Sequence, residues 1–135
     1  MKKLIKKVRE WHNLRQLVTG STDQAQLKKL LEEFMELSCS IYANKPANQV
    51  VGIVKGMLDD LEHNNRIKAD DGSGKKDAIG DMIVVLVNIA ERNDTYLREC
   101  LAGSYNEIKD RKGLMKNGIY VKYEDLSNEE KAKFK

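Results

Sequence analysis

Acidic side chains recur at helical spacing in two separate stretches of this 135-residue chain, and their type and spacing suit chemistry. Glu33 and Glu36 are three residues apart, and Asp77 and Asp81 are four apart. Either spacing places both side chains on one face of an α-helix. Mg²⁺ prefers oxygen ligands and commonly keeps waters that a phosphate-bearing substrate can displace. Two such helices packed together therefore predict a four-carboxylate site for Mg²⁺, with Mn²⁺ as the second candidate ion.

The first acidic pair has two interpretations. Lys29 lies one turn before Glu33, so residues 29–36 are typical of a solvated helix face on which Lys29 and Glu33 form an ion pair. The same residues also suit one half of a metal site. This stretch alone does not choose between the two interpretations.

The second acidic pair lies in an apolar sequence. Residues 79–86 are almost wholly apolar apart from Asp81, which predicts a central helix with a buried carboxylate. Asp77 suits a capping role, but Asp81 lies a full turn further inside the helix. No Lys or Arg occurs between Lys76 and Arg92 to neutralise it. Because a buried carboxylate needs a cation, this helix favours the metal site.

Charge is unevenly distributed along the chain. Residues 1–15 carry a net charge of +5, residues 16–104 carry −4 and residues 105–122 carry +3. Arg111 and Lys112 stand at the end of a predicted helix, where the helix dipole favours cations. Beside a Mg²⁺ site, the same two side chains would also suit a polyphosphate. The basic amino terminus shows no clear helix-turn-helix pattern, so nucleic acid is not the favoured partner.

Other kinds of site find little support. The two histidines do not form the Glu-x-x-His pairs of di-iron bundles, and no Ser/His/Asp set or Gly-rich phosphate loop is evident. The longest apolar stretch, residues 82–87, is too short to cross a bilayer. Cys39 and Cys100 are too few for a disulfide framework. We therefore expect a cytoplasmic protein with no membrane partner.

Apolar residues recur at three- and four-residue steps nearly throughout, and this predicts an all-α fold, a helical bundle of four to five helices. The predicted helices cover residues 3–18, 23–44, 46–64, 76–92 and 94–113, with an extended segment at 119–122 and a capping box at 127–130. We expect one domain over residues 1–135, with a flexible loop at 64–75 and a peripheral segment at 114–135. Few helices are available to cover the apolar fourth one, so we also expect the chain to self-associate.

The motifs resemble those of the MazG-like nucleotide pyrophosphohydrolases, in the all-α NTP pyrophosphatase superfamily. The family pattern is a Glu-x-x-Glu on one helix and a Glu-x-x-Asp on a later helix. Residues 26–37 are similar to the first motif with its usual upstream Gln and Lys, and residues 77–86 are similar to the second. Residues 105–113 and 118–122 are similar to the ending of the small phage and prophage members.

The second motif departs from the family at one position. The Glu expected three residues before Asp81 is Ala78, while Asp77 lies four residues before it. Either spacing reaches the same helix face, so Asp77 is the expected substitute. Residues 46–75 also separate the two motifs by more than the usual family distance.

The resemblance implies an enzyme that hydrolyses a nucleoside triphosphate between its α and β phosphates, yielding a monophosphate and pyrophosphate, with Mg²⁺. It also implies a homodimer or homotetramer. The implied metal ligands are four carboxylates: Glu33, Glu36, Asp77 and Asp81. Either Glu32 or Glu33 would orient the attacking water. The implied substrate-binding residues are cations, an amide and an aromatic ring: Lys29, Arg111, Lys112, Asn88 and Trp11. Trp11 has a second interpretation, as the apolar anchor of the first helix.

Two functions of other classes stay open. The chain could be a catalytically inactive helical interaction protein of the same fold, which lost catalysis with the change to Ala78. It could also be a basic helical protein that binds nucleic acid through its amino terminus.

Overall fold

The computed structural model describes residues 1–134, and their secondary structure is predominantly α-helical. The α-helices of the described residues are α1 (Lys2–Leu14), α2 (Asp23–Ile41), α3 (Ala47–His63), α4 (Lys75–Arg92), α5 (Leu97–Ile108) and α6 (Asn128–Lys131). Two short strands, β1 (Gly113–Lys116) and β2 (Ile119–Lys122), pair antiparallel. The predicted all-α class is confirmed.

Most helix bounds agree with the sequence to within a few residues, and two exceptions have local causes. α1 ends at Leu14 rather than at 18, because the chain turns at Gln16, whose φ is +58°. α5 is shorter than the predicted helix at 94–113, because Asp94 has a φ of +54° and lies in the preceding turn, and Gly113 begins β1. α5 begins at Leu97, with Tyr96 as its first flanking residue.

The strands form a hairpin around a two-residue turn. Asn117 and Gly118 both have positive φ, +52° and +79°, as a type I′ turn requires. Leu114 faces Val121 in the register and is fully buried. The sequence predicted an extended segment at β2 but missed its partner β1.

The carboxyl-terminal segment is fastened by the predicted capping box. The Ser127 hydroxyl accepts a hydrogen bond from the Glu130 backbone N–H, and the Glu130 carboxylate accepts one from the Ser127 N–H. Lys116 Nζ lies 3.1 Å from Glu130 Oε2, which links the hairpin to α6. The hydrogen bond from the Ser127 N–H and the one from Lys116 hold the pKa of Glu130 below its ordinary value, and the Ser127 bond contributes most.

The chain divides into two compact units. The inserted unit, Asp23–Gly74, contains α2 and α3, which pack against each other around the buried Val50. The terminal unit combines Met1–Thr22 with the described residues from Lys75 onward. In it, α1 and α4 both contact α5. The expected single domain over residues 1–135 stays a prediction, and Lys135 lies outside the described residues.

The inserted unit ends in the loop that the sequence marked as flexible. Its tip is tied by local bonds: the Asp70 carboxylate accepts hydrogen bonds from the Gly72 and Gly74 backbone N–H groups, and Asp71 accepts one from Ser73. Gly72 has a φ of +97°, which favours glycine at this position. The tip is therefore a hydrogen-bonded turn rather than an extended linker.

The hydrophobic core of the described residues is small: its buried members are Val50, Ala90, Leu114 and Leu126. On α4, Ala90 alone is buried, while Ile79 is 61% exposed and Val84 is 67% exposed. The expectation that the fourth helix is central is therefore wrong for the described residues. None of the described helices is both long and apolar enough to cross a membrane.

Candidate functional site

The acidic face of α2 belongs to the inserted unit and is held by one lysine. Lys29 Nζ lies 3.2 Å from Glu33 Oε1 and 3.3 Å from Glu32 Oε2. These bonds raise the pKa of Lys29, with Glu33 as the larger cause. The ion pair foreseen for a solvated helix face is therefore formed, and it extends to Glu32. All three side chains are exposed, so the pairs add little to stability.

Glu33 and Glu36 interact with each other as well. Their hydrogen bond lowers the pKa of Glu33 and raises the pKa of Glu36, and Lys29 adds to the lowering at Glu33. Two carboxylates in contact repel when both are ionised, which is why one of them holds its proton more readily. A divalent cation bound by both would relieve this repulsion. The donor set of this pair therefore fits a hard cation such as Mg²⁺.

The second pair lies on α4 in the terminal unit. Asp77 and Asp81 are one turn apart, and Asn88 follows two turns beyond Asp81, so the three share one side of the helix. Asp77 lies in the first turn, where the helix dipole favours a negative charge. All three residues are exposed.

The exposure of Asp81 corrects the expectation of a buried carboxylate. α4 packs against α5, and its buried residue is Ala90, far along the helix from Asp81. Burial therefore does not force a cation onto Asp81. Asp77 and Asp81 still place two carboxylates on one exposed helix face.

The four predicted metal ligands are thus divided between the units, one pair in each. Over the described residues, neither unit by itself brings three His, Cys, Asp or Glu side chains together in a group that could hold a metal ion. Each pair alone offers an incomplete set of ligands. The four-carboxylate site stays a prediction.

Trp11, in the terminal unit, is half-buried and makes the contacts of an anchor. Its indole Nε1 donates a hydrogen bond of 2.9 Å to the carbonyl of Ile108, at the end of α5. The Arg15 guanidinium lies 4.3 Å from the centre of its ring system. These contacts support the anchor interpretation of Trp11, because a base that stacks needs an uncovered ring face.

Arg15 is the residue of this region that the sequence reasoning missed. It is 3% exposed, and its Nε donates a 2.6 Å hydrogen bond to the Arg111 carbonyl. Nη2 donates to the carbonyls of Arg111 and Lys109, and Nη1 to that of Trp11. Carbonyls at a helix end lack intrahelical partners, so Arg15 caps α5 from the other end of the chain. We call Trp11 and Arg15, with these bonds, the α1 anchor.

The α1 anchor fixes the main chain that carries the predicted phosphate-binding cations. The Arg111 carbonyl faces Arg15, and the Lys112 carbonyl accepts a hydrogen bond of 3.2 Å from the Tyr123 backbone N–H. Both side chains are nevertheless exposed, and Lys112 Nζ lies 5.2 Å from the Tyr123 ring centre. The backbone is held while the charged groups remain accessible to an anion.

One signal in the sequence could have revealed the role of Arg15 in the α1 anchor. Arg15 has no acidic residue three or four positions away on either side, and Trp11 stands one turn before it. An arginine without a helical acid partner, next to an aromatic residue, is suited to carbonyl and aromatic contacts. Its partners at 109 and 111, however, cannot be derived from local spacing.

Comparison with known proteins gives a relative from a phage. The chain is similar to an uncharacterized 18.2 kDa protein from the rep-hol intergenic region of Haemophilus phage HP1, with 34% identity over 93 residues. The match covers 69% of this chain and 41% of that protein, so the chain spans less than half the length of this relative. No family model and no solved structure matches the chain.

Proposed function

We propose that the protein is a Mg²⁺-dependent nucleoside triphosphate pyrophosphohydrolase, which cleaves between the α and β phosphates to give a nucleoside monophosphate and pyrophosphate. The observation that supports it best is the placement of Glu33 and Glu36 three residues apart on the exposed face of α2. The motif resemblance and the second exposed pair, Asp77 and Asp81, support it as well. A cytoplasmic location, where nucleotides occur, belongs to the same proposal.

The carboxylates have separate roles in this reaction. Glu33, Glu36, Asp77 and Asp81 would hold Mg²⁺, which when bound neutralises charge on the phosphate oxygens. Glu32 or Glu33 would orient the attacking water. In the free protein, Lys29 forms ion pairs with both Glu32 and Glu33.

The cations and the amide complete the proposed site. Lys29, Arg111 and Lys112 would neutralise the phosphates, an electrostatic role that phosphate chemistry requires. Arg111 and Lys112 suit it because their side chains are accessible on a fixed backbone. Asn88 would contact base or sugar. Trp11 would act as an anchor rather than by stacking, in view of its hydrogen bond to Ile108.

Self-association is part of the proposal. α4 exposes Ile79 and Val84, and α2 exposes Leu27 at 66%. Contiguous exposed apolar residues on monomers commonly mark interfaces. We therefore propose a homodimer or homotetramer in which these helix faces are covered by further copies of the chain.

The activity test uses a panel of canonical and deoxy nucleoside triphosphates with Mg²⁺, following pyrophosphate release. We expect Glu36→Gln and Asp81→Asn each to lower kcat/KM by at least about 100-fold, because even outer partners of metal ligands change activity by about 10- to 100-fold. Glu62→Gln and Asp60→Asn on α3 are matched controls, since both residues are exposed and outside the proposed site.

Two results would contradict the proposal. Wild-type activity in Glu36→Gln or Asp81→Asn would remove the assigned ligands. Absence of both hydrolysis and a Mg²⁺- or Mn²⁺-dependent rise in Tm would favour the inactive interaction protein instead, because a ligand that binds the folded state raises Tm.

A further inference from the structure

The terminal unit contains a basic pocket whose lysines Lys7, Lys109 and Lys133 have no role in the proposed active site or in the α1 anchor. It is open, has a volume of about 460 Å³, and lies between α1, the end of α5 and the carboxyl-terminal segment. Its lining combines cations with aromatic and apolar side chains. The members that matter here are Lys7, Arg15, Lys109, Lys112, Lys133 and Trp11.

The charges in the lining are not balanced. Among the described residues of the lining, five cations stand against two acids, Glu10 and Asp110. Glu10 also forms an ion pair with Lys6, which is not part of the lining: Lys6 Nζ lies 3.8 Å from Glu10 Oε1. Among residues 1–134, none of Lys7, Lys109 and Lys133 takes part in an ion pair. Like charges gathered around one cavity attract a counter-ion.

Arg15 adds positive charge to the pocket, but its guanidinium nitrogens already donate hydrogen bonds to backbone carbonyls. Its hydrogen bonds go to the carbonyls of Trp11, Lys109 and Arg111, so it contributes a buried cation that is paired with no carboxylate of residues 1–134. Burial lowers the pKa of Arg15, which is the expected response of a cation in such surroundings. The lysines are the groups that remain able to move and contact a ligand.

We propose that this basic pocket binds an oligophosphate anion, with Lys7, Lys109 and Lys133 as its contacts. Several lysines around one small cavity match a compact ion that carries several charges, since each lysine is a point charge with rotatable donors. The anion is inorganic pyrophosphate or tripolyphosphate, or the phosphate chain of a nucleotide, and these share the same recognition chemistry. Binding here requires no metal and no hydrolysis, so it is independent of the proposed enzymatic activity.

The test is the Tm of the full chain in EDTA, with inorganic tripolyphosphate added against sodium chloride of equal ionic strength. We expect a rise on the order of 5 °C at saturation. Lys7→Gln and Lys133→Gln should each weaken the apparent affinity roughly two- to fivefold, the usual effect of losing one exposed charge pair. Lys55→Gln on α3 is the control, since it removes the same charge from the inserted unit.

The outcomes separate the sources of binding. Equal shifts in wild type, Lys55→Gln and both pocket variants, or no shift at all, would overturn the proposal. An equal shift with a deoxynucleoside triphosphate and with tripolyphosphate would support a site for phosphate alone, and a larger shift with the nucleotide would support one that also contacts the nucleoside. A response to single-stranded DNA but not to tripolyphosphate would overturn it in favour of nucleic acid. Because EDTA excludes metal-dependent turnover, failure of the proposed hydrolysis leaves these results unaffected.

Discussion

The end of α1 and the middle of α4 differ in where their side chains find partners. Arg15 and Trp11 donate hydrogen bonds to carbonyls about 94 to 97 residues away in the same chain. On α4, Asp81 and the apolar Ile79 and Val84 are exposed. Both regions belong to the same compact unit, so the difference in side-chain contacts is not a difference between two units of the chain.

This contrast separates residues that hold the fold from residues available for function. The α1 anchor uses its polar groups internally, so its side chains have little left to offer a ligand. α4 leaves carboxylates and apolar side chains open, which suits a metal-bound substrate and a second copy of the chain. The three substitutions below test the contrast directly.

Arg15→Met should have the largest effect on stability. It removes the hydrogen bonds to the carbonyls of residues 11, 109 and 111, and the carbonyls at 109 and 111 lose these partners. We expect a loss of about 3 kcal/mol in the free energy of unfolding, measured in urea. Arg9→Met, at an exposed position of α1, should change it by less than about 0.5 kcal/mol. Similar losses in both variants would show that the anchor is not special.

Trp11→Phe should have an intermediate effect. The ring contact with Arg15 is kept in part, while the Nε1 hydrogen bond to the Ile108 carbonyl is lost. We expect a loss of about 1 to 2 kcal/mol. Tyr96→Phe, at an exposed tyrosine, serves as a matched aromatic control. An unchanged urea midpoint for Trp11→Phe would argue against its role as an anchor.

Val84→Ser should have the smallest effect on the isolated chain and a clear effect on assembly. Because Val84 is exposed, the stability of dilute protein should change by less than about 0.5 kcal/mol. At high concentration, light scattering should show a smaller mean mass than for wild type, whereas Val18→Ser, at an exposed valine outside α4, should match wild type. A wild-type protein that is monomeric at every concentration would contradict the proposed oligomer.

The local parts of the fold could be predicted from sequence because they depend on neighbouring residues. Apolar spacing predicts α2 and α4 to within three residues at each end. The capping box at Ser127 follows from a four-residue pattern, and its two hydrogen bonds are present. Strand β1 was missed because Leu114 becomes part of a strand only through pairing with Val121.

In the candidate site, too, the features that depend on neighbouring residues could be predicted and the others could not. The Lys29–Glu33 pair could be predicted, since a helix fixes its geometry. The exposure of Asp81 could not be predicted. The apolar sequence around it predicts a buried helix face, but it does not say whether the same chain or another copy buries that face. The role of Arg15 depends on carbonyls at Lys109 and Arg111, and no local rule connects residues so far apart.

The position of the α1 anchor also has a consequence for the order of folding. The bond from Trp11 to Ile108 closes a loop of 97 residues, an entropic cost of about 4 kcal/mol. α2 and α3, by contrast, meet across a connection of only a few residues, at 42–46. On the ribosome the first helix must therefore wait for most of the chain, while the helix pair between the two ends can form early. The beginning of this chain is among the last parts to reach its native contacts.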